Sequence, residues 1–323
     1  MTEVRNALAE AQQKLGGTAR GVVLEPSPPA VDDGEWFADD PTNTDVPGRG
    51  PLVSPAGNGD MTWTEQVAAD PTLADWAGDG ALAAHRRLVA PPAELVETRR
   101  ALHRLATYVI APARHQATGK FGLRWVRGGF GTPFFGADKQ VRVEGTELVV
   151  QEAGQVRAAP ITTLRAAAEL IGSEIDAETA AEHDSPAMGD VDEVLAVDAA
   201  AVAYLDTWWG IGTYTLERIR VDRDSVDPSR VQVWPGHFDP AIEVGDDDHR
   251  ASYGASPGDE ATPGPYFYVA LWWPDRAGIE PDDPFWNAEG YQGATLPVSS
   301  LLDVDDQPGA AIDFYRTARA KLT

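Results

Sequence analysis

The chain contains no cysteine. That absence excludes disulfides, thiolate nucleophiles, iron–sulfur clusters and cysteine-based zinc sites, and it leaves the compartment open. Basic residues are scarce: 26 Lys and Arg stand against 51 Asp and Glu, a formal net charge of −25 at pH 7. A surface of that sign repels phosphate backbones and anionic lipids, so neither nucleic acid nor a membrane surface is an expected partner. No uninterrupted apolar run of about 18 residues occurs, and no membrane-spanning helix is expected. The opening MTEVRNALAEAQQKLGG has no basic start followed by an apolar core. It reads as no secretory leader, and the cytoplasm is the expected location. HExxH zinc spacing and a glycine-rich turn opening a helix are also missing, so no metal and no cofactor is assigned.

What is present divides the 323 residues into four stretches. Residues 1–60 begin with a short amphipathic helix, Val4, Leu8, Ala11 and Leu15 on one stripe, followed by a Pro-, Gly- and Asp-rich arm anchored by Trp36 and Phe37. Residues 61–175 hold a helical lead-in around Trp63, Trp76 and Leu82 and then a first α+β half. That half opens with a helix carrying Leu95, Leu102, Leu105, Val109 and Ile110, which Pro112 kinks or ends. FGLRWV reads as a strand, RGGFGTPFFG as a loop, and QVRVEGTELVVQEAGQVRAAP as a three-strand meander with turns near Gly145 and Gly154. Val141, Val143, Leu148 and Val150 share one face of that meander, and a helix capped by Thr162 or Thr163 closes the half.

Residues 176–197 form an acidic connector. The second half, 198–323, repeats the order: a long helix from Asp198 to about Ile219, strands at 230–234, 241–244, 250–254 and 266–273, a long loop, and a final helix over 308–321. Gly210 and Gly212 inside the long helix predict a kink or a close packing contact. The expected class is α+β, with two similar halves packed as one body, each a long helix, antiparallel strands and a shorter helix.

From about Asp70 to Leu322 the order of motifs resembles a family of actinobacterial hypothetical proteins of unknown function. The likeness is carried by LHRLATYVIAPARHQATGKFGLRWVRGGFGTPFFG, VWPGHFDPAIEVG, ASYGASPGD, PYFYV and FWNA. The resemblance implies kinship and brings no reaction, cofactor or catalytic residue with it.

The candidate site centres on VWPGHFDPAIEVG, 233–245. Read as one strand over 231–244, it places Trp234, Phe238, Ile242 and Val244 on an apolar face and His237, Asp239 and Glu243 on a polar one, unless Pro235 and Pro240 introduce a bulge. An adjacent carboxylate orients an imidazole and raises its proton affinity, which makes His237 a candidate general base with Asp239 as its partner. The same pair can equally be a hydrogen bond that fixes a sheet. YFYVALWW is apolar at both parities and is expected to be covered on both sides. The loop SYGASPGDEATPGP supplies Tyr253, Ser256 and Asp259 as ligand-binding candidates, and Trp273, Trp286 and Asn287 extend the list toward a stacked, flat ligand. His103 and His115 read as flank residues of the first helix.

Three functional readings follow. The leading one is a small-molecule ligand-binding or accessory protein with a cleft between the HFD strand, the ASYGASPGD loop and the FWN segment. The second is a hydrolase or isomerase using His237 and Asp239. The third is an acidic interaction module whose protein partner the sequence does not identify.

Overall fold

The computed structural model describes residues 87–322 except 127, 133, 134, 136–138, 153, 154, 179–184, 221, 230 and 281. The expected N-terminal helix, the arm and the lead-in around Trp63, Trp76 and Leu82 lie outside the described residues. Two five-stranded antiparallel sheets and their helices make an α+β fold, and the helix, meander, helix order occurs twice.

The first half opens with α1 (Leu95–Leu105), a π-helical turn (Ala106–Ile110) and α2 (Ala111–Thr118). Pro112 does not end this helix. A proline cannot donate to the carbonyl four residues back, which is that of Tyr108. That carbonyl accepts instead from the Asp176 N–H at 3.1 Å, and the widened turn beside it accommodates the ring. Strands β1 (Arg124–Val126), β2 (Gly129–Gly131), β3 (Lys139–Glu144), β4 (Glu147–Glu152) and β5 (Gln155–Pro160) then form a sheet in sequential order. Val141 pairs with Val150 and Val143 with Leu148, all four buried on one face. Helix α3 (Leu164–Ile171) closes the half, its N-terminus capped by Thr163 Oγ1, which accepts from Ala166 N at 3.0 Å.

In the second half, α4 (Ala199–Arg220) precedes β6 (Gln232–Trp234), β7 (Asp239–Val244), β8 (Ala251–Ser256), β9 (Tyr266–Leu271), β10 (Gly293–Pro297) and α5 (Gln307–Ala320), again in sequential strand order. The two sheets meet where Leu123, next to β1, exchanges backbone hydrogen bonds of 3.0 and 2.9 Å with Val233 of β6.

Helix α4 is buried around most of its circumference because it packs on β7 and β8 of one sheet and on β1 and β2 of the other. Gly210 and Gly212 are close contacts and not a kink. A Cβ at Gly210 would stand 2.9 Å from the Trp125 ring, and one at Gly212 would stand 2.7 Å from Ala255. Asp206, buried on the same helix, accepts from Trp125 Nε1 at 2.8 Å and Gly128 N at 3.1 Å, so α4 clamps the β1–β2 turn.

Two strands differ from the expectation. β2 lies in the predicted loop RGGFGTPFFG, and β10 lies in the long loop before the last helix. Both are glycine-bearing, which lowers strand propensity. In both, glycine is what admits the neighbouring backbone: a Cβ at Gly129 would sit 2.6 Å from the Val143 carbonyl, and one at Gly293 would sit 2.1 Å from that of Val269.

Candidate functional site

The VWPGHFDPAIEVG stretch is a hairpin and not one strand. Trp234 pairs with Asp239, and Pro235 to Phe238 form the four-residue turn between β6 and β7, closed by a 2.6 Å bond from Phe238 N to Trp234 O. Phe238 takes the left-handed backbone conformation with φ 60°, which costs a bulky residue ~1–2 kcal/mol. Packing holds it there. Its fully buried ring stacks on His103 (5.1 Å, 7°) and meets Phe130 and Trp209 edge-on at 4.9 Å. Trp209 Nε1 donates to the Phe238 carbonyl at 3.2 Å.

His103, expected on a helix flank, is therefore partly buried against this turn. Its Nε2 donates to the carbonyls of Pro235 (2.8 Å) and Gly236 (3.0 Å), and Thr107 from the π turn donates to Pro235 as well (2.8 Å). Burial drives the His103 pKa down to about 4, so the ring is neutral and its proton stays on the nitrogen that grips the turn.

With the turn fixed, β7 presents Asp239, Ala241 and Glu243 on the outer face of the second sheet. Ladder pairing puts Ser252, Gly254 and Ser256 of β8 beside them, then Tyr266, Tyr268 and Ala270 of β9. The opposite faces of these strands carry Ile242, Val244, Tyr253, Phe267 and Val269 into the core. YFYVALWW is thus covered on one side only. Phe267 and Val269 are buried, Tyr266 and Tyr268 are half-buried, and Trp272 and Trp273 lie beyond the strand end, 41% and 46% exposed. Trp234, expected in the core, stands on the outer face at 37% exposure.

The small side chains of β8 let this face cave in. A cavity of about 600 Å³ lies over it, walled on the far side by Arg99, Arg100 and His103 of α1 and by the Ser256–Glu260 loop. Arg99 donates to the carbonyls of Pro257 (3.4 Å), Asp259 (3.1 Å) and Pro263 (3.1 Å) and so holds that loop in place. Arg100 makes a two-pronged pair with Glu260 at 2.9 and 2.7 Å.

At the cavity floor Tyr268 crosses β8. A Cβ on Gly254 would stand 2.4 Å from the phenol ring, so only glycine lets the ring lie flat and reach Asp239 Oδ2, to which its hydroxyl donates at 2.6 Å. Asp239 is 1% exposed, and its second oxygen, Oδ1, is buried with no hydrogen-bond partner. Burial raises the Asp239 pKa, against smaller opposing effects of His237 and the Tyr268 bond. Burial and the adjoining carboxylate push Tyr268 well above its ordinary value, and burial raises Tyr291 on the rim to about 12.

Of the residues singled out in the sequence, His237, Asp239, Ser256 and Asp259 line this cavity. His237 is exposed in the turn, and the side-chain partner of Asp239 is Tyr268. Ser256 accepts from Gly258 N at 3.1 Å. Asp259 accepts from the Tyr266 hydroxyl at 2.6 Å and from the N–H groups of Ala261 and Thr262, so it shapes the loop. Tyr253 lies on the core side of the sheet, its ring 5.8 Å from that of Tyr315. Trp273 stacks under Arg276 (5.3 Å), Trp286 meets Phe285 edge-on (5.1 Å), and Asn287 bonds Thr295 of β10. None of these four lines the cavity. Arg99, Arg100, His103, Tyr266, Tyr268 and Tyr291 line the cavity without having been singled out. The available signal was the pair Tyr266 and Tyr268, two positions apart and hence on one face of a strand.

Among the described residues no group of three or more His, Asp or Glu side chains is placed to hold a metal ion, and no helix is long and apolar enough to cross a membrane. Comparisons with protein-family models, curated proteins and solved structures find no match to the chain.

Proposed function

We propose that the chain is a small-molecule ligand-binding or accessory protein that takes its ligand on the outer face of the second sheet. One observation carries the reading: a cavity of about 600 Å³ is lined by Asp239, whose carboxylate keeps one oxygen buried without a hydrogen-bond partner. Buried polar atoms are ordinarily satisfied, and an exception in a concave, aromatic-lined site is a place for a ligand group. The volume falls within the ~300–1,000 Å³ usual for organic ligands. The charge of −25 supports a partner other than nucleic acid. Kinship with the actinobacterial family, on the motifs quoted above, belongs to the same proposal.

The test is a ligand-observed NMR screen of small organic molecules against the full chain and against Ala270→Trp, which adds an indole to the cavity lining. Binders that lose their signal with the filled variant support the reading. A screen whose hits bind both proteins equally would refute it.

A further inference from the structure

We infer that the cleft is selective for an organic cation bearing N–H groups, a protonated amine or a guanidinium, with Asp239 as the anchoring carboxylate. The inference rests on the cleft being the binding site. Asp239, 1% exposed, lines the cavity, and its Oδ1 is a buried acceptor without a donor. Its sister oxygen accepts a hydrogen bond from the Tyr268 hydroxyl at 2.6 Å, so the phenol fixes the carboxylate's orientation and leaves Oδ1 for a second donor.

The arginines of the cleft are committed elsewhere. Arg99 spends its donors on three backbone carbonyls, and Arg100 is paired with Glu97 and Glu260. Glu243, four positions along β7 and so on the same face as Asp239, is 3.4 Å from Arg250. The hydrogen-bond partner of Asp239 is the neutral Tyr268 phenol, with His237 exposed in the adjoining turn, and an incoming cation would supply the missing hydrogen bond together with a positive charge.

The walls fit the same occupant. Tyr266, Tyr268, Tyr291 and Trp234 line the cleft, with the Tyr266 and Tyr268 ring centres 6.2 Å apart. Aromatic faces carry the negative end of a quadrupole and attract ammonium and guanidinium groups. A net charge of −25 concentrates cations near the surface. A ligand lacking N–H could use the rings but would leave Oδ1 unsatisfied. This separates amines and guanidines from quaternary ammonium compounds.

Isothermal titration of the full chain with phenethylamine, agmatine, choline, benzyl alcohol and benzoate tests the assignment. Phenethylamine or agmatine should bind at least tenfold more tightly than choline, benzyl alcohol or benzoate. Asp239→Asn should weaken that binding tenfold or more. If the alcohol or benzoate binds as tightly as the amines, or if Asp239→Asn leaves amine affinity within twofold, the cation assignment is overturned. In that event loss of binding in Ala270→Trp would leave the cleft standing as the site. Binding indifferent to Ala270→Trp, or no binding by any probe, overturns both.

Discussion

The Tyr268 hydroxyl donates to Asp239 from two strands away, at 2.6 Å, across a glycine that has no side chain to stop it. Gly254→Ala would place a methyl 2.4 Å from the Tyr268 ring and push the phenol off the carboxylate. Overpacking of this kind costs ~1–3 kcal/mol. Urea denaturation should show a loss in that range together with weakened ligand binding, while Ala158→Ser, exposed on β5 of the other sheet, should change neither appreciably.

Asp239 should trade stability for function. Its pKa is raised by burial from 3.8, so the folded chain holds the proton more tightly than the unfolded chain does. The stability contributed by that proton is full below the unfolded value and is lost as pH rises through the raised folded value. The titratable groups facing it are His237 in the turn, Tyr268 on β9 and Tyr315 on α5. Asp239→Asn, which can still accept from Tyr268, should therefore be more stable than the parent at pH 8, by ~0.5–2 kcal/mol as is common for stabilising substitutions. The advantage should vanish near pH 4, and a constant difference between the two pH values would contradict the account.

His103 has the opposite sign. With its pKa lowered from 6.5 to about 4, the unfolded chain binds the proton first, so stability falls as the solution is acidified through that window. The loss is up to about 3 kcal/mol at one pKa unit per 1.36 kcal/mol. His103→Gln retains an N–H donor for the Pro235 carbonyl without titrating. Its stability should decline less steeply between pH 6.5 and 4 than that of the parent.

Phe238 combines a left-handed backbone at φ 60° with a fully buried ring. Truncating a buried phenylalanine costs ~3–5 kcal/mol, more than the backbone strain returns, so both Phe238→Ala and Phe238→Gly should be less stable than the parent. Glycine should be the milder of the two by about 1 kcal/mol because it adopts this conformation freely. Equal losses would mean the backbone relaxes when the ring is removed.

The repeated helix, meander, helix order was legible because period-2 and period-3.6 patterns survive in Val141, Val143, Leu148 and Val150 and in Leu95, Leu102 and Leu105 of α1. Strands β2 and β10 were not, since Gly129, Gly131 and Gly293 are there for close backbone approach, and that need arises only once the neighbouring strand is in place. His237 and Asp239 were visible as a polar pair, but their relationship was not. The turn at 235–238 separates them, and the partner of Asp239 comes from 29 residues away. His103 gave no signal because its burial depends on the β6–β7 turn reaching back to α1. The cavity itself follows from Gly254 and Ser252 standing where a larger residue would have filled the sheet face, a property of the assembled sheet and not of any local pattern.

The most direct test of a ligand site on this face is to locate binding by NMR chemical-shift mapping of the full chain with agmatine. Perturbations concentrated at Asp239, Ala241, Glu243, Tyr268 and Ala270, and lost in Ala270→Trp, are the predicted result. Perturbations confined to other surfaces, or persisting unchanged when the cavity is filled, would contradict it.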